Sequence, residues 1–177
     1  MRITAFTSLL VLALAFSSAS RSEDSRSEEA VGVTVCQLLA DPPAYNHKLV
    51  RVMGQVSFAF EEFTLNADNC QGRTGPIWLD YGGTVKSGAI PEGWKRRRGQ
   101  PLVIEGITTT LVEDSAFHAF DDSIHKPPSA SVSAAFIGRY FAGTAGAGGV
   151  KEWRGFGMWG MYSLLVIQQV ISSGTAR

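Results

Sequence analysis

The run from Lys48 to Phe58 constrains the fold more than any other part of the chain. Val50, Val52, Val56 and Phe58 alternate with Arg51, Met53, Gln55 and Ser57, the period of a strand with one buried face. Gly54 falls in its middle, where glycine marks a bulge or a sharp bend. A second strand follows almost at once, with Phe63 and Leu65 inward and Glu62, Thr64 and Asn66 outward. A third is Pro76–Tyr81, closed by Gly82-Gly83. A fourth is expected over Pro101–Thr110, rich in β-branched residues and again with a central glycine, Gly106. Val132–Phe141 makes a fifth. The last, over Tyr162–Ile171, is apolar on both faces at its centre, which argues burial within a sheet or barrel. Strands bent at central glycines close into a barrel more readily than they lie flat. The expected fold is therefore mainly β: a small antiparallel OB-like barrel of about five to six strands with one short N-terminal helix. A β-sandwich is the alternative.

The helix is expected near Val35, Leu38 and Leu39, carrying Cys36 and ending at Asp41-Pro42-Pro43. Ahead of it, Met1-Arg2 leads into an apolar run, Ile3 to Phe16, and then Ser17-Ser18-Ala19-Ser20. This is the pattern of an export signal over residues 1–20, too short to span a bilayer comfortably. Residues 21–30 are charged and apolar-poor and read as a disordered lead-in. Residues 31–173 then form a single domain. The expected location is periplasmic or secreted, with no transmembrane span after cleavage.

In an exported chain exactly two cysteines, Cys36 and Cys70, are expected to form one disulfide. Closing a loop of about 35 residues stabilises a fold by about 4 kcal/mol in the chain-entropy account. Lys plus Arg number 16 and Asp plus Glu 16. That balance gives no electrostatic case for nucleic acid, which calls for a basic surface. The 45% hydrophobic content and ten phenylalanines supply a core.

The set Cys36-Gln37-Leu38-Leu39, Pro42-Pro43-Ala44-Tyr45, Val50-Arg51-Val52-Met53-Gly54, Cys70 and Ile77-Trp78-Leu79 resembles a family of exported, largely uncharacterised bacterial proteins. Gly155-Phe156-Gly157-Met158-Trp159-Gly160, followed by Leu165-Val166-Ile167, is similar to it too. The resemblance covers about half of the chain and implies an OB-like barrel and an extracytoplasmic address, with no established reaction. Similar proteins carry a histidine after the Gly-aromatic-Gly element; Met158 stands there in this chain, so chemistry resting on that histidine is not expected.

Candidate binding residues cluster in two places. Trp94 precedes the basic run Lys95, Arg96, Arg97 and Arg98 in the 84–99 connection, a grouping suited to anionic polymers. Trp153 and Trp159, with Phe156 and Tyr162, crowd the approach to the last strand and mark a partner surface if exposed together. A metal alternative rests on His118, Asp121, Asp122 and His125 in the 113–126 insertion. Their i, i+3, i+4, i+7 spacing converges only on a helix, and the ordinary reading of this segment is a solvated loop. His47 reads as an exposed turn residue. Glu61 and Glu62, adjacent at a hairpin tip, make no acid–base dyad. The Gly143–Gly149 segment lacks the Gly-Lys-Ser/Thr ending of a phosphate cradle and reads as a flexible loop. No Gly-x-Ser-x-Gly elbow is present.

The expectation is a non-enzymatic, exported binding or envelope-associated module without a cofactor. Its expected partner is an anionic glycan, a lipid headgroup or another envelope protein. A metal-dependent protein built on the 113–126 loop, and a structural subunit that self-associates through exposed aromatics, are the alternatives.

Overall fold

The computed structural model describes residues 28–59, 61–67, 70, 75–88, 96–126, 131–157 without 147–148, and 160–175; for 144–154 and 175 it describes the backbone alone. The elements run β1 (Val31–Gly32), α1 (Val35–Ala40), α2 (Pro42–Tyr45), β2 (Leu49–Ala59), β3 (Glu62–Asn66), β4 (Ile77–Tyr81), β5 (Val103–Ile104), β6 (Ile107–Thr108), α3 (Ser115–Ile124), β7 (Val132–Phe141), β8 (Thr144–Gly146), β9 (Gly149–Arg154) and β10 (Leu164–Thr175). The main sheet has the order β1-β2-β3-β4-β10-β7, and β7 pairs again with β2. Five strands, β2, β3, β4, β10 and β7, thus close a ring, the OB-like barrel expected from the alternating runs. Closure removes the sandwich alternative.

The barrel is mixed, not purely antiparallel. β10 runs parallel to β4, with Leu164 opposite Trp78 and Ile167 opposite Tyr81. Its other neighbour, β7, is antiparallel. A parallel pair needs a crossover, and α3 with β7 supplies it. No register shift occurs at Gly54, which pairs with Ala134. Its role is close approach: a Cβ there would lie 2.6 Å from the Asn66 carbonyl oxygen.

The stretch read as a fourth strand does not enter the barrel. Glu105 (φ 50°) and Gly106 (φ 79°) are both left-handed, the backbone of a two-residue primed turn. They fold residues 103–108 into the separate hairpin β5–β6. The single expected helix is joined by two others. α1 is closed at its start by a capping box between Thr34 and Gln37. The prolines that end it also begin α2, with Pro at the first turn, where a missing N–H costs nothing. α3 replaces the expected polar loop. Asp114 caps it by accepting from the Phe117 N–H, and Phe117, Phe120 and Ile124 form its buried face. The Gly143–Gly149 loop likewise contributes to the small β8–β9 hairpin.

Inside the barrel, Val50, Val52, Val56, Phe63, Leu65 and Leu79 pack with the buried face of α3. Outside it lies a second, smaller cluster. Trp78, Leu164, Val166 and Phe141 point away from the interior and are buried with Leu102 and Ile104 of the β5–β6 segment. This explains why β4 is buried at every position and why β10 reads as apolar on both faces. The Cys36–Cys70 disulfide forms, with Cα atoms 5.2 Å apart. It ties α1 to the segment that follows β3. Residues 1–27, which include the expected signal, lie outside the described residues. Glu28, within the expected loose lead-in, is held by Arg139 through contacts of 3.0 and 2.7 Å.

Candidate functional site

Of the basic run, Trp94 and Lys95 lie outside the described residues, as does Trp159; the Trp153 side chain is likewise undescribed. Arg96 is a structural brace. Its Nη1 donates to the carbonyls of Gly83 (2.7 Å) and Gln100 (3.2 Å), and its Nη2 to that of Val85 (2.6 Å). Lys86 Nζ donates back to the Arg96 carbonyl at 2.6 Å. Next in the chain, the Gln100 N–H donates to the Arg97 carbonyl (3.1 Å), and the Arg97 N–H to Gln100 Oε1 (3.1 Å). These bonds make a tight turn with Arg98 and Gly99 (φ 78°) at its centre, glycine standing where a positive φ is needed. Arg97 and Arg98 are exposed on it. One arginine therefore fixes the loop, and the next two project from it.

The proposed metal residues all fall on or beside α3. Asp121 Oδ1 accepts from the buried Tyr81 hydroxyl at 2.8 Å. Burial first, and the Asp121 carboxylate second, hold that phenol far above its ordinary range. His125 Nδ1 lies 2.8 Å from the Asp121 carbonyl oxygen and 3.5 Å from Asp121 Oδ1. Its ring packs on Phe58, with centroids 4.5 Å apart. Asp121 is thus engaged by the barrel, while His118 and Asp122 stay at the surface. Among the described residues no three His, Cys, Asp or Glu side chains come together to hold a metal ion. The helix that the metal reading required does form, and it uses the central carboxylate to seat itself on Tyr81.

Another polar cluster lies where the turn before β2 meets β7 and the β5–β6 hairpin. His47 (φ 62°) and Glu105 (φ 50°) are the two non-glycine residues with positive φ among those described, and they bind each other, Nε2 to Oε2 at 2.5 Å. The His47 backbone is fastened to β7: its N–H donates to the Tyr140 carbonyl (2.8 Å), and its own carbonyl accepts from Arg139 Nη1 (2.7 Å). Asn46 Oδ1 accepts from the Ala142 N–H at 2.9 Å. Arg139 completes the group by pairing with Glu28, whose carboxyl it holds below the ordinary range through the hydrogen bond between them. Such a cluster joins residues up to 111 apart in sequence, so no local pattern announces it.

Beside it lies the outer wall of the barrel. Trp78 is 2% exposed, its ring 5.6 Å from that of Tyr162. Phe156 and Tyr162 form a two-sided backbone bridge, which pinches the glycine-rich segment onto the indole. A Cβ at Gly157 would lie 2.4 Å from the Trp78 ring, so this approach depends on glycine. Trp78 Nε1 has no hydrogen-bond partner among the described residues.

Fold and site together define a disulfide-tied, OB-like barrel with a covered outer wall and a braced cationic turn. No protein-family model, curated protein or solved structure matches the chain. No helix among the described residues is long and apolar enough to cross a membrane.

Proposed function

We propose that this protein is an exported, non-enzymatic binding module, periplasmic or secreted and envelope-associated, of the kind suggested by its resemblance to exported bacterial OB-like proteins. Its ligand is an anionic surface, an acidic glycan in the first instance. The supporting observation is the Arg97–Gln100 turn. Arg96 satisfies three backbone carbonyls, so Arg97 and Arg98 are presented on an ordered turn, and less conformational freedom is lost on binding. The near-balance of charge over the whole chain favours such a local contact over the broad basic surface that nucleic acid requires. The disulfide is compatible with an oxidising compartment.

The test uses the full chain produced in an oxidising compartment, titrated with polygalacturonate, anionic lipid vesicles and an oligonucleotide. The expected result is polygalacturonate binding that weakens with salt, and a loss of about tenfold in affinity at low ionic strength for Arg97→Ala/Arg98→Ala. Equal binding by the double variant, or no binding by the native chain, overturns the reading. Preference for vesicles would move the ligand to a lipid headgroup.

A further inference from the structure

In OB folds the outer wall formed by the second and third barrel strands is a common ligand surface. Of these, β4 lies here in a wall that it shares with β10 and β7, and that wall is covered by the chain itself. The cover is slight. Each strand of the β5–β6 hairpin is two residues long, with Leu102 and Ile104 buried against the wall and Val103 half exposed. Its tip is fastened by Glu105 to His47. Asparagine or aspartate suits the first position of such a turn, because it tolerates left-handed backbone. Glutamate is poorer for the backbone, but its side chain reaches the imidazole. The residue at the tip thus serves the clasp at the expense of the turn. Beneath, the Trp78 indole N–H is buried without an acceptor among the described residues, a donor that a ligand oxygen would satisfy.

We propose that hairpin β5–β6 is a hinged cover, clasped shut by Glu105 and His47, over a binding wall centred on Trp78 that takes a sugar ring of an acidic glycan. Gly157 and Tyr162 stay against the indole ring, and the indole N–H, uncovered as the hairpin lifts, donates to a hydroxyl or carboxylate oxygen of the sugar. This rests on the reading of Arg97 and Arg98 as the first contact for the same glycan. Their turn runs directly into the cover through Pro101 and Leu102, so the two sites are neighbours along one segment.

The experiment uses Glu105→Asn, which creates the turn pair that hairpins favour while removing the clasp. A closed site weakens apparent affinity by its open fraction, so E105N is expected to bind polygalacturonate about fivefold more tightly than the native chain. Trp78→Leu in that background should erase the gain. In the native chain, amide exchange over 101–110 should rise on saturation with polygalacturonate. Should Trp78→Leu not fold, His47→Asn must reproduce the gain of E105N. Equal binding by E105N and the native chain, or exchange over 101–110 that stays level or falls, overturns the cover. If Arg97→Ala/Arg98→Ala has no effect yet E105N gains affinity through Trp78, the basic turn fails and the cover stands. If the gain in E105N is for an oligothymidylate and not for polygalacturonate, the sugar assignment is overturned.

Discussion

The barrel has two apolar clusters, and they are closed in different ways. The interior is sealed by α3, a ten-residue helix that buries Phe117, Phe120 and Ile124 and anchors through the Tyr81–Asp121 bond. The outer cluster is closed by short pieces, a hairpin of two-residue strands with a polar clasp at its tip and the segment bridged at Phe156 and Tyr162. A long element with a wide apolar face is part of the cooperative core. A short one held at its ends belongs to the low-stability end of the local-opening spectrum. The contrast separates what holds the fold from what can move on it.

Truncation of one side chain on each side breaks or sharpens this contrast most directly. Phe120→Ala, at a site with no exposure, is expected to cost about 3–5 kcal/mol in chemical denaturation. Ile104→Ala should cost about 1–2 kcal/mol less, since the hairpin can settle into the space. Equal losses would mean that the hairpin unfolds with the barrel.

Alkali probes the interior alone. Burial pushes the Tyr140 phenol up from 10.0 to about 12, and Tyr81 is raised further. A raised folded value means that the stabilising contribution is complete below the unfolded value and is lost as pH climbs through the folded one. Stability should therefore fall between about pH 10 and 12. Tyr140→Phe should flatten that limb in a denaturation series, while giving up about 1 kcal/mol at neutral pH with its bond to the Leu38 carbonyl. An unchanged limb would show that the phenol is not buried.

The smallest effect belongs to the outer side. The Glu28 carboxyl is lowered by Arg139, so its contribution is present above the unfolded carboxylate value and lost as pH falls through the folded one. Glu28 is largely exposed, which keeps Glu28→Gln within about 0.5 kcal/mol at neutral pH. A larger loss would make the outer polar cluster a structural element in its own right.

Much of this architecture could be read from local patterns. Period-two alternation located β2 and β3, the run Val132–Phe141 was legible as β7, and the apolar centre of β10 announced a strand buried on both faces. The cysteine pair followed from count and expected compartment. What escaped had identifiable causes. In Pro101–Thr110 the β-branched residues masked the Glu105-Gly106 turn, because glutamate is an unusual choice there. In α3 the Asp114 cap and the 117, 120, 124 spacing were present, but were obscured by His118, Asp121 and Asp122. The parallel β4–β10 pair depends on a crossover that no local spacing records. For the site, Arg97 and Arg98 were legible as a charge run, yet the bracing role of Arg96 was not. The His47–Glu105 clasp spans 58 residues, and each partner alone looks like an ordinary surface residue.

The place of β10 in the ring carries a consequence for how the molecule is made. This last strand is the one that bonds both β4 and β7, so the ring has a gap until residues 164–175 are in place. A chain growing from its N-terminus can build the β2–β3 hairpin early, and the Cys36–Cys70 bond can form soon after. The wall stays unsealed until residues 164–175 have been made. Completion, not initiation, governs when this barrel becomes watertight, and a chain stopped short of Leu164 retains two open strand edges facing each other across the missing stave.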